Sequence, residues 1–348
     1  MSITIHDIAK SAGVSVGTVS RVINNSPGVK PATREKVLAV IQQLHYKPDP
    51  IARSMVSKQT GSVGVIVPFF TRPFFMEVLQ GVEAATAEYG RDLVLYSVEN
   101  NAQRHRYFSD VPMLRKVDGL LILSLSPDDA SAKRFQEIGL STVLVDAYSP
   151  FLTSLVVDNI DGAYQAMKCL IQKGHRRIGF INGITEGNFQ FNQANDRLIG
   201  VHRAMGEAGL LFEPELMVAT DWTRLGGKSA AQQLLSLKQR PTAIFAASDL
   251  QAVGVLEVAN ALGIQIPGDL SVIGFDGIEV SELLGLSTIQ QPMRHMGISG
   301  VQHLIRHMQN PQHPPELIRL STALVERRTT TIYHPVLDAP SPGLANDC

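Results

Sequence analysis

The sequence predicts an α/β protein with a small helical head at its N-terminus and two lobes, each built on a doubly wound parallel sheet. Three observations lead to this prediction. The chain has 348 residues, enough for two or three domains of roughly 100–200 residues. The first 48 residues carry three short amphipathic segments with helical spacing. From residue 62 onward, apolar runs of strand length alternate with amphipathic helical stretches.

Composition excludes several classes of protein. Hydrophobic residues make up 44% of the chain and charged residues 18%, which is typical of a globular protein rather than a disordered one. No apolar run reaches the roughly 18 residues of a membrane span, and the N-terminus lacks the apolar segment of a secretory signal. The two cysteines cannot form a disulfide framework or a four-ligand zinc site. We therefore expect a cytoplasmic protein with no membrane partner, metal or cofactor.

The charge is distributed unevenly along the chain. Residues 1–60 contain eight basic and three acidic residues, a net charge of +5, so the other 288 residues carry −6. A basic head on an acidic body suggests that the head binds a polyanion and the body does not. The alternative is a basic face on an ordinary helical domain, and charge alone does not decide between the two.

The head is predicted to contain three helices. Thr4 starts a capping box before the first helix, which Gly13 ends. Ser15 caps a second helix from residue 16 to about residue 24, and Pro31 fits the first turn of a third. The inner stripe of the third helix is predicted to comprise Val37, Leu38, Ile41 and Leu44. Two helices joined by a tight glycine turn and braced by a third form a helix-turn-helix.

The second helix is the one expected to enter the major groove of double-stranded DNA. Its outward residues are predicted to be Val16, Gly17, Thr18, Ser20 and Arg21. The small side chains allow close approach, the hydroxyls suit phosphate, and the guanidinium of Arg21 can form two hydrogen bonds to guanine. The alternative is a three-helix cap that binds no ligand.

The body is predicted to alternate strands and helices. The strand-like runs are 63–67, 93–97, 119–124, 142–146, 178–182, 243–247 and 270–275. The helical stretches between them include 74–89, 162–173, 197–208, 226–237 and 250–262. A single eight-fold barrel is the competing architecture, but a linker near 157–161 separates two similar blocks and favours two lobes with a cleft.

Several motifs resemble one known family. The opening stretch TIHDIAKSAGVSVGTVSRVIN, residues 4–24, resembles the lactose-repressor/galactose-repressor family of bacterial regulators. The likeness continues through GVIVP at 64–68, GHRRI at 174–178, PTAIF at 241–245 and IPGDLSVIGFD at 266–276, to about residue 328. It implies a helix-turn-helix head and a two-lobed core of the periplasmic-binding-protein type that binds a small-molecule effector.

The resemblance also implies boundaries and DNA contacts. The expected parts are a DNA-binding domain at 1–48, a hinge helix and linker at 49–60, a core at 61–330 and a flexible tail at 331–348. Lobe one would hold about 61–160 and 291–320, and lobe two about 161–290 and 321–330. The residues expected at DNA are Thr4, Ser15, Val16, Gly17, Thr18, Ser20, Arg21, Asn24, Arg53 and Met55. Met55 stands where the family usually has a leucine that enters the minor groove at the operator dyad, and methionine is also an apolar wedge.

Ligands of doubly wound sheets bind at the carboxyl ends of the strands, which directs attention to the residues that follow each strand. The expected effector-binding residues are Phe69, Phe74, Ser124, Asp146, Arg197, Trp222, Asp249 and Asp276. For Trp222, the resemblance implies stacking on the ligand, and for Arg197 and Asp276 it implies bonds to ligand hydroxyls or a similar polar edge. The residue before Pro73 is often asparagine in the family and is Arg72 here, a departure that places a positive charge near the cleft mouth.

Together these features predict a transcriptional regulator rather than an enzyme. We expect a repressor that binds a pseudo-palindromic operator as a homodimer and responds to a small-molecule effector, a sugar or a similar compound. The alternative from another class is a small-molecule-binding or catalytic α/β protein whose N-terminal helices are structural. Binding to pseudo-palindromic DNA distinguishes the two.

Overall fold

The computed structural model describes residues 3–23, 26–46, 60–114, 116–184, 189 and 191–334. The chain divides into two compact units, one ending at Ser62 and the other beginning at Val63. Three of the residues expected at DNA, Asn24, Arg53 and Met55, lie outside the described residues, as do the expected hinge helix and residues 335–348 of the tail.

The N-terminal unit contains three described helices, α1 (Ile5–Ala12), α2 (Val16–Ile23) and α3 (Pro31–Gln43). The capping box at Thr4 is present, and Gly13 ends α1 in the left-handed conformation, with φ of 61°. The Oγ of Ser15 accepts a hydrogen bond from the backbone N–H of Thr18 at 3.2 Å. The buried core between the helices consists of Ile8, Ala9, Ala12, Val19, Val22 and Val37. The predicted helix-turn-helix is confirmed.

One prediction for α3 is wrong. Leu38 was expected in the inner stripe, but its side chain is 48% exposed. Val40 packs against the core instead, together with Ile41 and Leu44. The reason is that α3 buries only a narrow face against the two short helices, and Val37 occupies the centre of that face.

The second unit contains two sheets, which define the two lobes. The sheet of lobe one has the order β11-β5-β4-β3-β1-β2, and that of lobe two β12-β10-β9-β8-β6-β7. Lobe one uses β1 (Ser62–Pro68), β2 (Asp92–Val98), β3 (Gly119–Leu123), β4 (Ser141–Val145), β5 (Thr153–Val157) and β11 (Leu317–Leu320). Lobe two uses β6 (Ile178–Gly183), β7 (Met217–Thr220), β8 (Ala243–Ala246), β9 (Ser271–Asp276), β10 (Ser287–Gln290) and β12 (Ala323–Val325).

The pairing in both sheets is dominated by parallel strands. Strand β3 pairs in parallel with β1 and β4, and β8 does so with β6 and β9. Strand β12 is antiparallel to β10. The central strands are buried along their whole length, as β3 and β8 illustrate, because helices cover both faces. The two-lobed α/β fold is confirmed.

The helices of the second unit follow the strands. Those that accompany the sheet of lobe one are α4 (Pro73–Glu88), α5 (Asn101–Leu114), α6 (Asp129–Glu137) and α12 (Met293–Gln309). Those that accompany the sheet of lobe two are α7 (Asn159–Gln172), α8 (Asn192–Glu207), α9 (Arg224–Leu235), α10 (Asp249–Ala261) and α11 (Glu279–Leu283). The described residues include no helix long and apolar enough to cross a membrane.

The chain passes between the lobes three times. It leaves lobe one after β5, returns after β10 to form α12 and β11, and enters lobe two again at β12. Helix α12 packs closely on α4, where a Cβ at Gly81 would collide with the carbonyl oxygen of Arg294. The three connections lie beside one another, because Val157 pairs with Leu320 and Gln290 pairs with Ala323.

Candidate functional site

A cleft between the two lobes encloses about 580 Å³ of empty space, its open mouth included. Polar side chains in its wall are Arg72, Ser124, Asp146, Gln193, Arg197, Ser248, Asp276 and Gln291. Apolar ones are Pro73, Phe74, Phe75, Phe191, Trp222, Leu250 and Ile278. Six of the eight residues predicted to bind an effector therefore line one cavity.

Backbone geometry marks the same place. Four non-glycine residues at the carboxyl ends of strands have positive φ: Phe69 at 46°, Ser124 at 50°, Asp146 at 58° and Asp276 at 123°. Such conformations cost free energy in residues with a side chain, and they concentrate at functional sites. Here each one turns the chain as it leaves a strand, and three of the four side chains reach the cleft.

Arg197 is the central cation of the site. It lies on α8 and is only 3% exposed. Its Nε donates to Oδ1 of Asn159 at 2.9 Å, and its Nη1 donates to the carbonyl oxygen of Ala247. Nη1 also lies 3.8 Å from Oδ1 of Asp276, and the guanidinium carbon is 3.6 Å from the ring centre of Phe275. These contacts fix the guanidinium plane, so a ligand meets a preorganised donor.

Two buried carboxyl groups face the cleft beside it. Asp146 accepts hydrogen bonds at Oδ2 from Ser124 Oγ at 2.5 Å and from Gln193 Nε2 at 2.7 Å. Burial raises the pKa of Asp146 to about 6, although both hydrogen bonds and Arg197 act in the opposite direction. Burial also raises the pKa of Asp276 well above its ordinary value, and Arg197 opposes this shift. Groups perturbed in this way are typical of binding sites.

The bond between Gln193 and Asp146 crosses the cleft. Gln193 belongs to α8 in lobe two and Asp146 follows β4 in lobe one. A second crossing bond joins the backbone N–H of Glu279 to Oε1 of Glu77 at 3.2 Å. These two hydrogen bonds therefore hold the lobes in direct contact with each other at the cavity.

Among the described residues, three buried polar atoms of the cavity wall have no hydrogen-bond partner. They are Oε1 of Gln193, Oε1 of Gln291 and Nε1 of Trp222. The two amide groups are held from their other end, because Nε2 of Gln193 donates to Asp146 and Nε2 of Gln291 donates to Oδ1 of Asp276 at 2.8 Å. An unpaired buried polar atom is costly, so these two acceptors and one donor mark an unmet demand for hydrogen bonds at the cleft.

Aromatic rings form the rest of the wall. Trp222 packs so closely on Gly183 that a Cβ at Gly183 would collide with the indole. Phe191 meets Trp222 edge-on, with ring centres 6.4 Å apart. Phe74, predicted to face the cleft, does line the cavity, and its neighbour Phe75 lines it as well.

Two of the residues predicted to bind an effector do not line the cavity. Phe69 packs edge-on against Phe189, with ring centres 5.3 Å apart. Asp249 is fully buried, and its Oδ2 accepts from the backbone N–H groups of Gly277 and Ile278 at 2.7 and 3.0 Å. Further bonds to its carboxylate come from Ser281 and Thr288. Its carboxylate braces the loop after β9, and its complete burial keeps it from a ligand in the cavity.

The outer surface of α2 is the second candidate site. Ser15, Gly17 and Arg21 are exposed, Thr18 and Ser20 are partly exposed, and Val19 and Val22 point into the core. Val16 was predicted to face outward, but it is partly buried and packs against that core. The hydroxyls of Ser15 and Thr18 lie 3.0 Å apart, which orients both at the start of the helix. This face combines a helix N-terminus, hydroxyls and one long cation, the groups that suit a DNA backbone and base edges.

Known proteins resemble the chain over its whole described length. A model of the lacI family of bacterial regulatory proteins matches residues 4–49, and one of a periplasmic binding protein-like domain matches residues 167–330. The transcriptional repressor PurR of Pectobacterium carotovorum is 34% identical, over 94% of this chain and 96% of its own. The regulator CelR in complex with cellobiose is 32% identical with a TM-score of 0.69, over 94% and 99%. A lac repressor dimer bound to operator and the anti-inducer ONPF is 26% identical with a TM-score of 0.83, over 95% and 100%.

Proposed function

Because the chain belongs to the lacI family of bacterial regulatory proteins, we propose that it is a repressor that binds a pseudo-palindromic operator as a dimer and responds to a sugar effector. It is a DNA-binding transcriptional regulator and not an enzyme. The proposed parts are a DNA-binding domain at 1–48, a hinge and linker at 49–60 and an effector-binding core at 61–330, in a cytoplasmic protein.

The exposed face of α2 carries the proposal for DNA. Two copies of a head with a net charge of +5 would neutralise many phosphates, while Arg21 would read a base in each half-site. The described residues contain one such reading helix, which favours a dimer, since a symmetric pair would span two half-sites about one helical turn apart. The lac repressor dimer on its operator is consistent with this arrangement.

Selection from a random DNA pool tests this part. The full chain should enrich pseudo-palindromic sequences and retard them in a gel at low salt, with a footprint that is symmetric about the dyad. Failure to bind any DNA at low salt would favour the alternative in which the N-terminal helices are structural.

The unpaired atoms of Gln193, Gln291 and Trp222 are the single observation that carries the proposal for the effector. Sugar hydroxyls can donate to the two amide oxygens and accept from the indole N–H. Arg197 and Asp276 supply further polar partners, and the aromatic wall suits the apolar C–H face of a pyranose. The cellobiose bound to CelR gives a precedent in a relative of the same fold.

Thermal denaturation in the presence of a sugar panel tests the effector. A ligand that binds only the folded chain at a hundred times its Kd would stabilise it by about 2.7 kcal/mol. The same sugar should leave a Trp222→Ala variant unshifted. A panel without any stabilising sugar would contradict the proposal.

We infer that the cleft controls the head through the relative position of the lobes. A ligand on Gln193 and Asp146 would change the bond that crosses between the lobes, and so the balance between open and closed cleft. In a dimer, this balance would alter the spacing of the two heads on the operator.

A further inference from the structure

Among the described residues, one cation in the cleft wall has no ion-pair or hydrogen-bond partner. The guanidinium of Arg72 lines the cavity and is partly buried. Within the described ranges, no carboxylate lies within 4.0 Å of it and it forms no hydrogen bond. Arg197, the other cation of the cavity, is by contrast bonded to Asn159 and Ala247 and lies beside Asp276.

Arg72 is held in place by its own loop. After β1, the chain turns at Phe69, and the backbone N–H of Arg72 donates to the carbonyl oxygen of Phe69 at 2.9 Å. The guanidinium carbon lies 3.9 Å from the centre of the Phe69 ring, and Phe189 supports that ring edge-on. Stacking on a braced ring limits the rotamers of the side chain and leaves its N–H groups available.

The two carboxylates near Arg72 form hydrogen bonds with other groups. Asp221 and Glu99 are the carboxylates that act on it, and both lie beyond ion-pair distance. Asp221 accepts from the backbone N–H and the hydroxyl of Thr223, and Glu99 accepts from the hydroxyl of Ser97 at 3.1 Å. Burial lowers the pKa of Arg72, which shows that these two carboxylates only partly offset the cost of placing the cation there.

The start of α4 reinforces the positive potential. Arg72 is the N-cap of this 16-residue helix, which begins at Pro73 and has no side-chain cap. Its positive end therefore adds to the charge of the guanidinium at the same end of the cavity. Asp146 and Asp276 lie in the same cavity and would repel an anion, so a negative group would have to sit at the Arg72 end.

From these observations we propose that the effector is a sugar or similar polyol that carries one anionic group, a carboxylate or a phosphate, bound by Arg72. The inference rests on the proposed effector function of the cleft. The hydroxyls of the ligand would meet Gln193, Gln291 and Arg197, and the anion would form charge-assisted hydrogen bonds with the guanidinium of Arg72.

Calorimetric titration of the full chain at constant ionic strength tests the proposal. The probes are two matched series: glucose, glucuronate and glucose 6-phosphate, and galactose, galacturonate and galactose 6-phosphate. In at least one series, an acidic member should bind about ten- to a hundredfold more tightly than the neutral sugar. The carboxylate and phosphate arms distinguish the two anions.

Variants locate the effect at Arg72. Arg72→Gln should lose about ten- to a hundredfold in affinity for the acidic sugar and less than about threefold for the neutral one. Arg72→Lys, which keeps the charge and loses the planar fork, should recover part of the affinity. The matched control is Arg134→Gln, on the exposed surface of α6, which should bind like the wild type. Circular dichroism establishes that each variant is folded.

The possible failures are distinguishable. If a neutral sugar binds as tightly as its acidic counterparts, or if Arg72→Gln weakens both kinds equally, the anionic effector is refuted and the sugar function stands. If no member of either series binds the wild type, this inference is refuted, whereas the sugar function is decided separately by the wider sugar panel in thermal denaturation.

Discussion

Replacement of Asp146 by asparagine should stabilise the protein while removing a group of the effector site. Asp146 is 7% exposed, and burial raises the pKa of its carboxyl group to about 6 from an ordinary 3.8. Above pH 6, the native state must hold a buried carboxylate that the unfolded chain would hydrate freely. Asparagine has nearly the same shape and carries no charge, so it avoids this cost.

The size and sign of the effect follow from the pKa. A raised pKa means that the native state binds a proton more tightly than the unfolded chain between about pH 4 and pH 6. Wild-type stability therefore falls across this window, by about 1.4 kcal/mol for each unit, or about 3 kcal/mol in total. The free energy of unfolding of Asp146→Asn minus that of the wild type should rise by this amount between pH 4 and pH 7 and stay level above.

Urea denaturation followed by circular dichroism at several pH values measures this difference. Asp249 titrates in both proteins, whereas loss of the Asp146 charge reduces the upward pKa shift of Asp276 and so adds to the rise. Asp110→Asn, on the exposed side of α5, is the matched control and should show no comparable rise. A stability difference for Asp146→Asn that is independent of pH, or that falls as the pH rises, would show that the native state does not raise the pKa of Asp146.

Three further predictions concern the head, the packing and the cleft. Arg21→Ala should cost about 1–3 kcal/mol in operator binding and relax specificity at one base pair of each half-site, which a scan of half-site bases measures. Gly200→Ala should destabilise lobe two by about 1–3 kcal/mol in urea denaturation, because its Cβ would collide with the carbonyl oxygen of Ile160. In the same helix, Gly206→Ala meets open space and should be neutral or stabilising by up to about 1 kcal/mol. Trp222→Ala should keep operator affinity without effector and lose the response to it, and a normal response in an effector titration would contradict the stacking role.

Local sequence signals predicted secondary structure correctly where a segment forms most of its structure without distant partners. The capping box at Thr4 and the glycine at position 13 fix the ends of α1, and both features are present. The continuous apolar runs that form β1, β3 and β4 are recognisable because both faces of these strands are buried.

Among the described strands, β5, β7, β10, β11 and β12 were not predicted from the sequence, and the last three of them depend on distant partners. Strands β10 and β12 are four and three residues long, and they pair with each other across more than thirty positions. Strand β11 pairs with β5, far earlier in the chain, and its side chains alternate between partly buried and exposed. No local periodicity separates such short segments from loops.

The same distinction holds for the site. Ser124 and Asp146 were predicted because they follow recognisable strands, and both line the cleft. Gln193 and Gln291 were missed, since one depends on how α8 docks and the other follows the unpredicted β10. Asp249 satisfied the same positional rule, yet its carboxylate turns inward to backbone N–H groups after β9, a contact that only the folded chain shows.

Operator affinity with and without effector tests most directly whether the cleft controls binding to DNA. Fluorescence anisotropy of the selected pseudo-palindromic DNA is titrated with the full chain, first alone and then with a saturating concentration of a sugar that thermal denaturation has shown to bind. A coupling free energy of about 1–3 kcal/mol between the two sites would change the affinity by about five- to 150-fold. We expect a change of this size that disappears in Trp222→Ala. An operator affinity that stays the same while the cleft of the wild type is filled would contradict this expectation.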